Sequence, residues 1–147
     1  MAAVASAQDA YREMLSVGIR PELRKHGFTG SGGTFVWPST SAHAHLGFQK
    51  RNSSTAQLIT FTINVTVADR ETWELARQAR PHLPAKPSPN TYYGNDIWQR
   101  RIGNLLPSGN DTWWDVEADR DWRPTARAVV DAIVEHVVPE LRARAGA

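Results

Sequence analysis

Strict alternation of apolar and polar residues marks one segment of the chain, LITFTINVTV at 58–67. Every second residue is large and apolar, and the residues between them are Thr60, Thr62, Asn64 and Thr66. Successive side chains of a strand point to opposite faces, so the pattern predicts a strand with one buried face and one polar face. Such a strand is typical of an antiparallel sheet covered on one side.

A second alternating segment, AHLGFQ at 44–49, precedes this strand and is separated from it by the polar loop RNSSTAQ. The pattern predicts a hairpin in which His43, His45 and Gln49 share the outward face. Further along, IWQRRIGNL at 97–105 and DTWWDVEA at 111–118 flank the turn-like PSGND. They predict a second hairpin.

Two longer segments follow helical periodicity. Apolar residues at steps of four predict a helix over 6–26, opened by a Ser6–Asp9 capping box and bent at Pro21. Near the end of the chain, an apolar stripe between Ala126 and Leu141 predicts a second helix that is kinked at Pro139. A short helix is also expected over 69–80.

The order of these elements predicts an α+β fold. We expect an antiparallel sheet of about five or six strands with the N-terminal and C-terminal helices packed on one face. The Pro-rich stretch at 81–90 is predicted to be a loop, and residues 1–147 are expected to form one domain.

Composition excludes some classes of function. The 147 residues include no Cys, which rules out disulfides, thiolate nucleophiles and Cys-ligated zinc. The formal net charge is only +2. Neither a signal peptide nor a membrane-spanning apolar run is present, so we expect a cytoplasmic protein that does not enter the membrane.

Five short segments together resemble one bacterial family. They are GF at 27–28, FQ at 48–49, FTIN at 61–64, RIGNL at 101–105 and WW at 113–114. In this order they are similar to the domain-of-unknown-function family 4304. The resemblance implies a small α+β domain in a bacterial cytoplasm. It assigns no catalytic or binding role to any residue.

The two adjacent tryptophans should face opposite ways. Trp114 shares the parity of Val116 and is predicted to point inward, which places Trp113 outward. The outward face then carries five candidate binding residues, namely His45, Gln49, Asn64, Arg101 and Trp113. By the same alternation, Arg100 is predicted to be buried against a carboxylate from the acidic stretch at 111–121.

A small-ligand or metal-dependent enzyme and a nucleic-acid binder are the alternatives for this face. His43 and His45 with Asp115 and Glu117 could bind Zn or Fe if the strands are neighbours. The pairs Lys50–Arg51 and Arg100–Arg101 lie near aromatic residues, as in nucleic-acid sites, but the small net charge argues against nucleic acid. No catalytic motif is recognisable among the five His and the Ser residues.

The remaining interpretation is a non-catalytic module that binds a partner protein. An outward Trp beside Arg and amide side chains has the composition of an interface hot spot. We therefore expect the outward face and the Pro-rich loop to bind another protein, without a cofactor or metal. The competing structural interpretation is that the loop simply covers Trp113.

Overall fold

A computed structural model describes residues 6–94 and 97–146, so residues 1–5, 95, 96 and 147 of the predicted domain lie outside this description. It confirms the α+β fold with a six-stranded antiparallel sheet. The strands are β1 (Thr29–Ser31), β2 (Thr34–Trp37), β3 (Ala42–Lys50), β4 (Leu58–Asp69), β5 (Trp98–Arg101) and β6 (Trp114–Glu117).

The long strand β4 is the centre of the sheet. One edge pairs with β3 over residues 61–69, β3 pairs in turn with β2, and β2 pairs with β1. The other edge is shared, because β5 pairs with Asn64–Val67 and β6 pairs with Leu58–Phe61. The predicted hairpin between these two short strands is therefore wrong. Both strands run antiparallel to β4 and therefore point in the same direction, one after the other along this edge. The connecting segment 102–113 leaves the edge between them.

Each main helix contains a π-helical segment just before its proline. The N-terminal helix consists of α1 (Ala7–Glu13), π-helical Met14–Ile19 and α2 (Arg20–Lys25). Proline lacks an N–H and crowds the carbonyl four residues earlier. The wider π turn ends two residues before Pro21 and accommodates this defect, as expected for a helix irregularity at proline. The capping box of Ser6 and Asp9 is present as predicted.

The C-terminal helix repeats this arrangement. It consists of α4 (Arg123–Ala132), π-helical Ile133–Val137 and α5 (Val138–Ala145), with Pro139 two residues beyond the π turn. Both helices pack on the inward face of the sheet, where Tyr11 meets Phe61 edge-on at 5.3 Å between ring centroids. The helices also pack on each other where Trp122 lies against Gly18, a position at which any side chain would overlap the indole.

The short helix and the Pro-rich loop cover part of the other, outward face. The helix α3 (Arg70–Ala79) corresponds to the short helix expected over 69–80, and the carboxylate of its N-cap residue Asp69 accepts a hydrogen bond from the Thr72 N–H. Trp73 is 1% exposed. Its indole N–H lies 3.1 Å from the carbonyl oxygens of both Pro84 and Ala85. The loop is thereby bound to α3 and folds back onto β3.

Gly47 allows the loop to approach the sheet. A Cβ at this position would overlap the Asn90 side chain and lie 2.6 Å from Cγ of Pro89. The loop therefore rests directly on the β3 backbone, and the absence of a side chain is required by packing.

We expect Gly47→Ala to lower the free energy of unfolding by about 1–3 kcal/mol, because the methyl group overpacks the contact with the loop. Gly33→Ala is the matched control, since its Cβ would meet the nearest atom at 3.5 Å without a clash. Urea unfolding of both variants checks this. Equal stabilities of the two variants would contradict the direct contact between loop and strand.

Candidate functional site

The uncovered part of the outward face contains a cavity of about 500 Å³. The Pro-rich loop borders it with Pro89, Asn90 and Thr91. The connecting segment between β5 and β6 contributes Asn104 and Asp111. Between these borders the sheet contributes Gln49, Asn64 and Arg101, three of the five predicted site residues.

The register of the strands brings these three residues together. Asn64 of β4 pairs with Gly47 on one side and with Arg101 of β5 on the other. Gln49 is opposite Thr62, which places it one outward position further along the sheet. Because Gly47 carries no side chain, the space beside Asn64 is filled by Asn90 of the loop instead.

Three amide side chains form a hydrogen-bonded chain at the base of the cavity. Asn64 Nδ2 donates to Gln49 Oε1 at 2.7 Å and to Asn90 Oδ1 at 2.9 Å. Asn90 Nδ2 donates in turn to the Phe48 carbonyl at 3.3 Å. Gln49 Nε2 and Asn64 Oδ1 form no hydrogen bond with any residue that the structure describes. The Gln49–Asn64 pair thus retains one amide nitrogen donor and one amide oxygen acceptor without a partner in the described part of the chain.

Trp113 lies beside the cavity between two guanidinium groups. Cζ of Arg51 is 4.3 Å from the indole ring centroid, and Cζ of Arg101 is 5.2 Å from it. The indole N–H donates to Asp111 Oδ2 at 2.8 Å, and the same oxygen accepts from Arg101 at 3.3 Å. Trp113 is therefore held in place, although it stays partly exposed to solvent.

The second tryptophan has the opposite role. Trp114 stacks on Phe61 with ring centroids 5.8 Å apart and packs against the core, as the alternation predicts. On the outward side, the loop that carries Asp111 crosses closely over the turn after β5. A Cβ on Gly103 would overlap the Asn110 carbonyl and lie 2.8 Å from the Thr112 nitrogen. Glycines thus permit both loops that border the cavity to pack closely.

His45, the fifth predicted site residue, lies away from the cavity. It points outward as predicted, but it is only 4% exposed because the Pro-rich loop covers it. Its Nδ1–H donates to the Pro87 carbonyl at 2.9 Å. His43 is 6% exposed under the same cover, and its Nδ1 has no hydrogen-bond partner among the described residues.

Burial keeps both imidazoles neutral. The pKa of His43 falls from its ordinary 6.5 to about 4, mainly because of desolvation, and the positive charges of Arg70 and Lys86 contribute to this shift. Desolvation likewise lowers the pKa of His45, although the hydrogen bond to Pro87 acts in the opposite direction. Protonation of either ring therefore opposes closure of the loop.

This predicts that the protein loses stability on acidification. A lowered pKa in the folded state means that the unfolded chain binds more protons between pH 6.5 and about 4, so stability falls as the pH drops through this window. We expect the free energy of unfolding to decrease by about 1–2 kcal/mol from pH 7 to pH 5. Urea unfolding at both pH values measures it.

The control for this effect is His43→Leu, which removes the titrating ring and its unpartnered nitrogen. Its free energy of unfolding should depend less on pH than that of the wild type over the same range. A variant with an undiminished pH dependence would show that His43 does not cause it.

The His and carboxylate pairs considered for a metal site do not meet. His45 is opposite Thr66 of β4, whereas Asp115 is opposite Thr60. Six residues of strand separate these rows by about 20 Å. Within residues 6–94 and 97–146, no group of three or more His, Asp or Glu side chains could hold a metal ion.

The dibasic pairs are divided between the two faces of the sheet. Lys50 pairs with Phe61 and lies over the Tyr11 ring on the helix side, whereas Arg51 contacts Trp113 on the outward side. Arg101 is also outward, where it is accompanied by Asp111. Of the four basic residues in these pairs, Arg51 and Arg101 therefore lie on the outward face, and Asp111 offsets the charge of Arg101.

The burial predicted for Arg100 is wrong. Arg100 pairs with Val65, so its side chain leaves the sheet on the helix side, but β5 is an edge strand and the guanidinium reaches solvent. It donates to the Gln99 carbonyl at 2.8 Å and lies over the Trp98 ring. The acidic stretch does supply a carboxylate, but Asp111 pairs with Arg101 instead.

The fold and the cavity define the chain as an α+β protein with a polar site on the outward face of its sheet. The chain belongs to the family described as Domain of unknown function (DUF4304), whose model matches residues 19–143. Comparisons with curated proteins and with solved structures gave no match. Among the helices that the structure describes, none has the length and apolar character needed to cross a bilayer.

Several residues that line the cavity are not among the five predicted site residues, and Asn90, Asn104 and Asp111 are three of them. Asn104 lies within RIGNL, one of the segments on which the family resemblance rests, but nothing local assigns it to the site. For Asp111, the sequence indicates only that it belongs to the acidic stretch at 111–121. Asn90 ends the Pro-rich loop, and its position depends on the contact of that loop with Gly47. Only this long-range contact brings Asn90 to the sheet.

Proposed function

We propose that the protein is a non-catalytic binding module of the bacterial cytoplasm that engages a partner protein. The binding surface comprises the open part of the outward sheet face and the adjoining end of the Pro-rich loop. The observation that carries the proposal is the position of Trp113, which lies between Arg51 and Arg101 at the edge of the cavity.

The arrangement has the energetic character of a hot spot. Interface energy is concentrated in a few aromatic and Arg side chains near the centre of a contact. Here the Trp113 ring is fixed by its hydrogen bond to Asp111 and by two cation–π contacts before any partner arrives. Binding therefore costs less side-chain entropy than ordering a mobile indole would.

The chemistry of the cavity supports binding rather than catalysis. Its polar lining contains Arg101 and Asp111, which pair with each other, and further polar residues, namely the five amides Gln49, Asn64, Asn90, Gln99 and Asn104 with Thr91, Tyr92 and Arg100. General acid–base catalysis uses a group that titrates near the working pH, most often His. The two buried His residues of β3 are covered by the loop and do not line the cavity.

A small polar ligand is the second candidate. The volume of about 500 Å³ lies in the range of small-molecule sites, and the lining offers unpaired amide groups. Protein binding is favoured because the partly exposed Trp113 and the Pro-rich loop extend the surface beyond the cavity.

Affinity capture from a lysate of the native host tests the proposal with immobilised wild type, Trp113→Ala and Arg101→Glu. We expect a protein partner to be retained by the wild type and at least tenfold less by each variant, because each removes part of the hot spot. Arg123→Glu is the matched control, since Arg123 also contacts a Trp ring, at 5.1 Å, and pairs with an Asp, at 3.0 Å, but on the helix side.

Stability measurements accompany the capture. Trp113→Ala should cost much less than the roughly 3–5 kcal/mol expected for a buried Trp such as Trp73, because Trp113 is partly exposed. Equal retention by all four proteins, or loss only with Arg123→Glu, would contradict the assignment of the surface. Loss of several kcal/mol in Trp113→Ala would support a packing role instead.

A further inference from the structure

We propose that the cavity recognises an extended acidic segment of the partner protein. This inference rests on the proposed function and specifies its chemistry. Arg101 binds a carboxylate of the segment, and Gln49 and Asn64 bind a neighbouring main-chain peptide group.

Most N–H donors of Arg101 have no hydrogen-bond partner in the described part of the chain. Within the described residues its guanidinium makes one hydrogen bond, the 3.3 Å contact with Asp111, out of the five N–H donors that an Arg carries. Its side chain is 37% exposed at the cavity, and the Trp113 ring lies against it. A guanidinium held in this way offers its remaining N–H groups to a planar anion such as a carboxylate.

The free amide groups match a peptide unit. Gln49 Nε2 is a donor and Asn64 Oδ1 an acceptor, and the two side chains are joined by the 2.7 Å hydrogen bond through their other amide atoms. A peptide group presents one C=O and one N–H, which are the complements of this pair. The amide chain is further fixed by Asn90, so its orientation is set before binding.

The distance between Arg101 and the Gln49–Asn64 amide pair suits an extended peptide. Asn64 and Arg101 are directly opposite each other on adjacent strands, so their Cα atoms are about 5 Å apart. An extended peptide advances about 3.3 Å per residue, which allows a main-chain group and a nearby acidic side chain to reach both positions. The two loops that pack close to Gly47 and Gly103 border the cavity in which both positions lie.

Asp111 acts as an internal competitor. Its carboxylate already contacts Arg101 and accepts the Trp113 N–H through the same oxygen. An incoming acidic group must compete for Arg101 against this charge. Asp111→Asn keeps an oxygen acceptor for Trp113 while removing the negative charge, so this variant should bind acidic segments more tightly than the wild type does.

The test is a nuclear magnetic resonance titration of the Trp113 indole N–H signal, assigned by its absence in Trp113→Phe. The probe is a pool of terminally blocked hexapeptides composed of Asp, Glu, Gly and Ser. A second pool has Asn and Gln in place of Asp and Glu, and sodium acetate at equal carboxylate concentration controls for charge alone. We expect the acidic pool to shift the signal and the other two to leave it unchanged.

Two variants test whether the charge of Asp111 weakens, and the charge of Arg101 strengthens, the affinity for the acidic pool. Asp111→Asn should raise the affinity for the acidic pool about three- to tenfold, and Arg101→Gln should lower it by at least tenfold. Equal shifts with the amide pool or with acetate would overturn the proposal, as would weaker binding by Asp111→Asn. If the acidic pool fails while partner capture still depends on Trp113, the proposed function stands and only its acidic specificity falls.

Discussion

Pairing along both edges of β4 is the constraint on which the rest of the structure depends. The inward residues of this strand, such as Phe61 and Val65, are fully buried under the helices. Its outward residues form hydrogen bonds with the loops. Thr62 Oγ1 donates to the Thr112 carbonyl at 2.7 Å, and Asn64 donates to Asn90 at 2.9 Å. One alternating strand therefore organises the hydrophobic core on one side and the borders of the cavity on the other.

The outward face is divided into two regions with different chemistry. Under α3 and the Pro-rich loop, His43 and His45 are buried, and this burial lowers the pKa of both rings. Next to this covered region, amide side chains and Arg101 stay accessible in the cavity. The loop thus has two roles, because it seals one region and supplies Asn90 as a border of the other.

Local patterns predicted the elements better than their contacts. The alternation of β4, the Ser6 capping box and the helical stripes depend on neighbours along the chain, and the structure confirms them. The β5–β6 hairpin was wrong because a turn-like PSGND does not reveal that both strands find partners on β4. Likewise, His45 looked accessible because alternation gives the direction of a side chain but not what covers it. Gly47, which permits the cover, carries no local signal of that contact.

Site-specific photo-crosslinking in the native host tests the central claim most directly. A benzoylphenylalanine is placed at Asn104, which is exposed at the cavity, or at Arg127, which is exposed on the helix side. A partner that occupies the outward face should crosslink at position 104 and not at 127, and Arg101→Glu should abolish the product. Crosslinking only at 127, or at 104 undiminished by Arg101→Glu, would contradict the assignment of the binding surface.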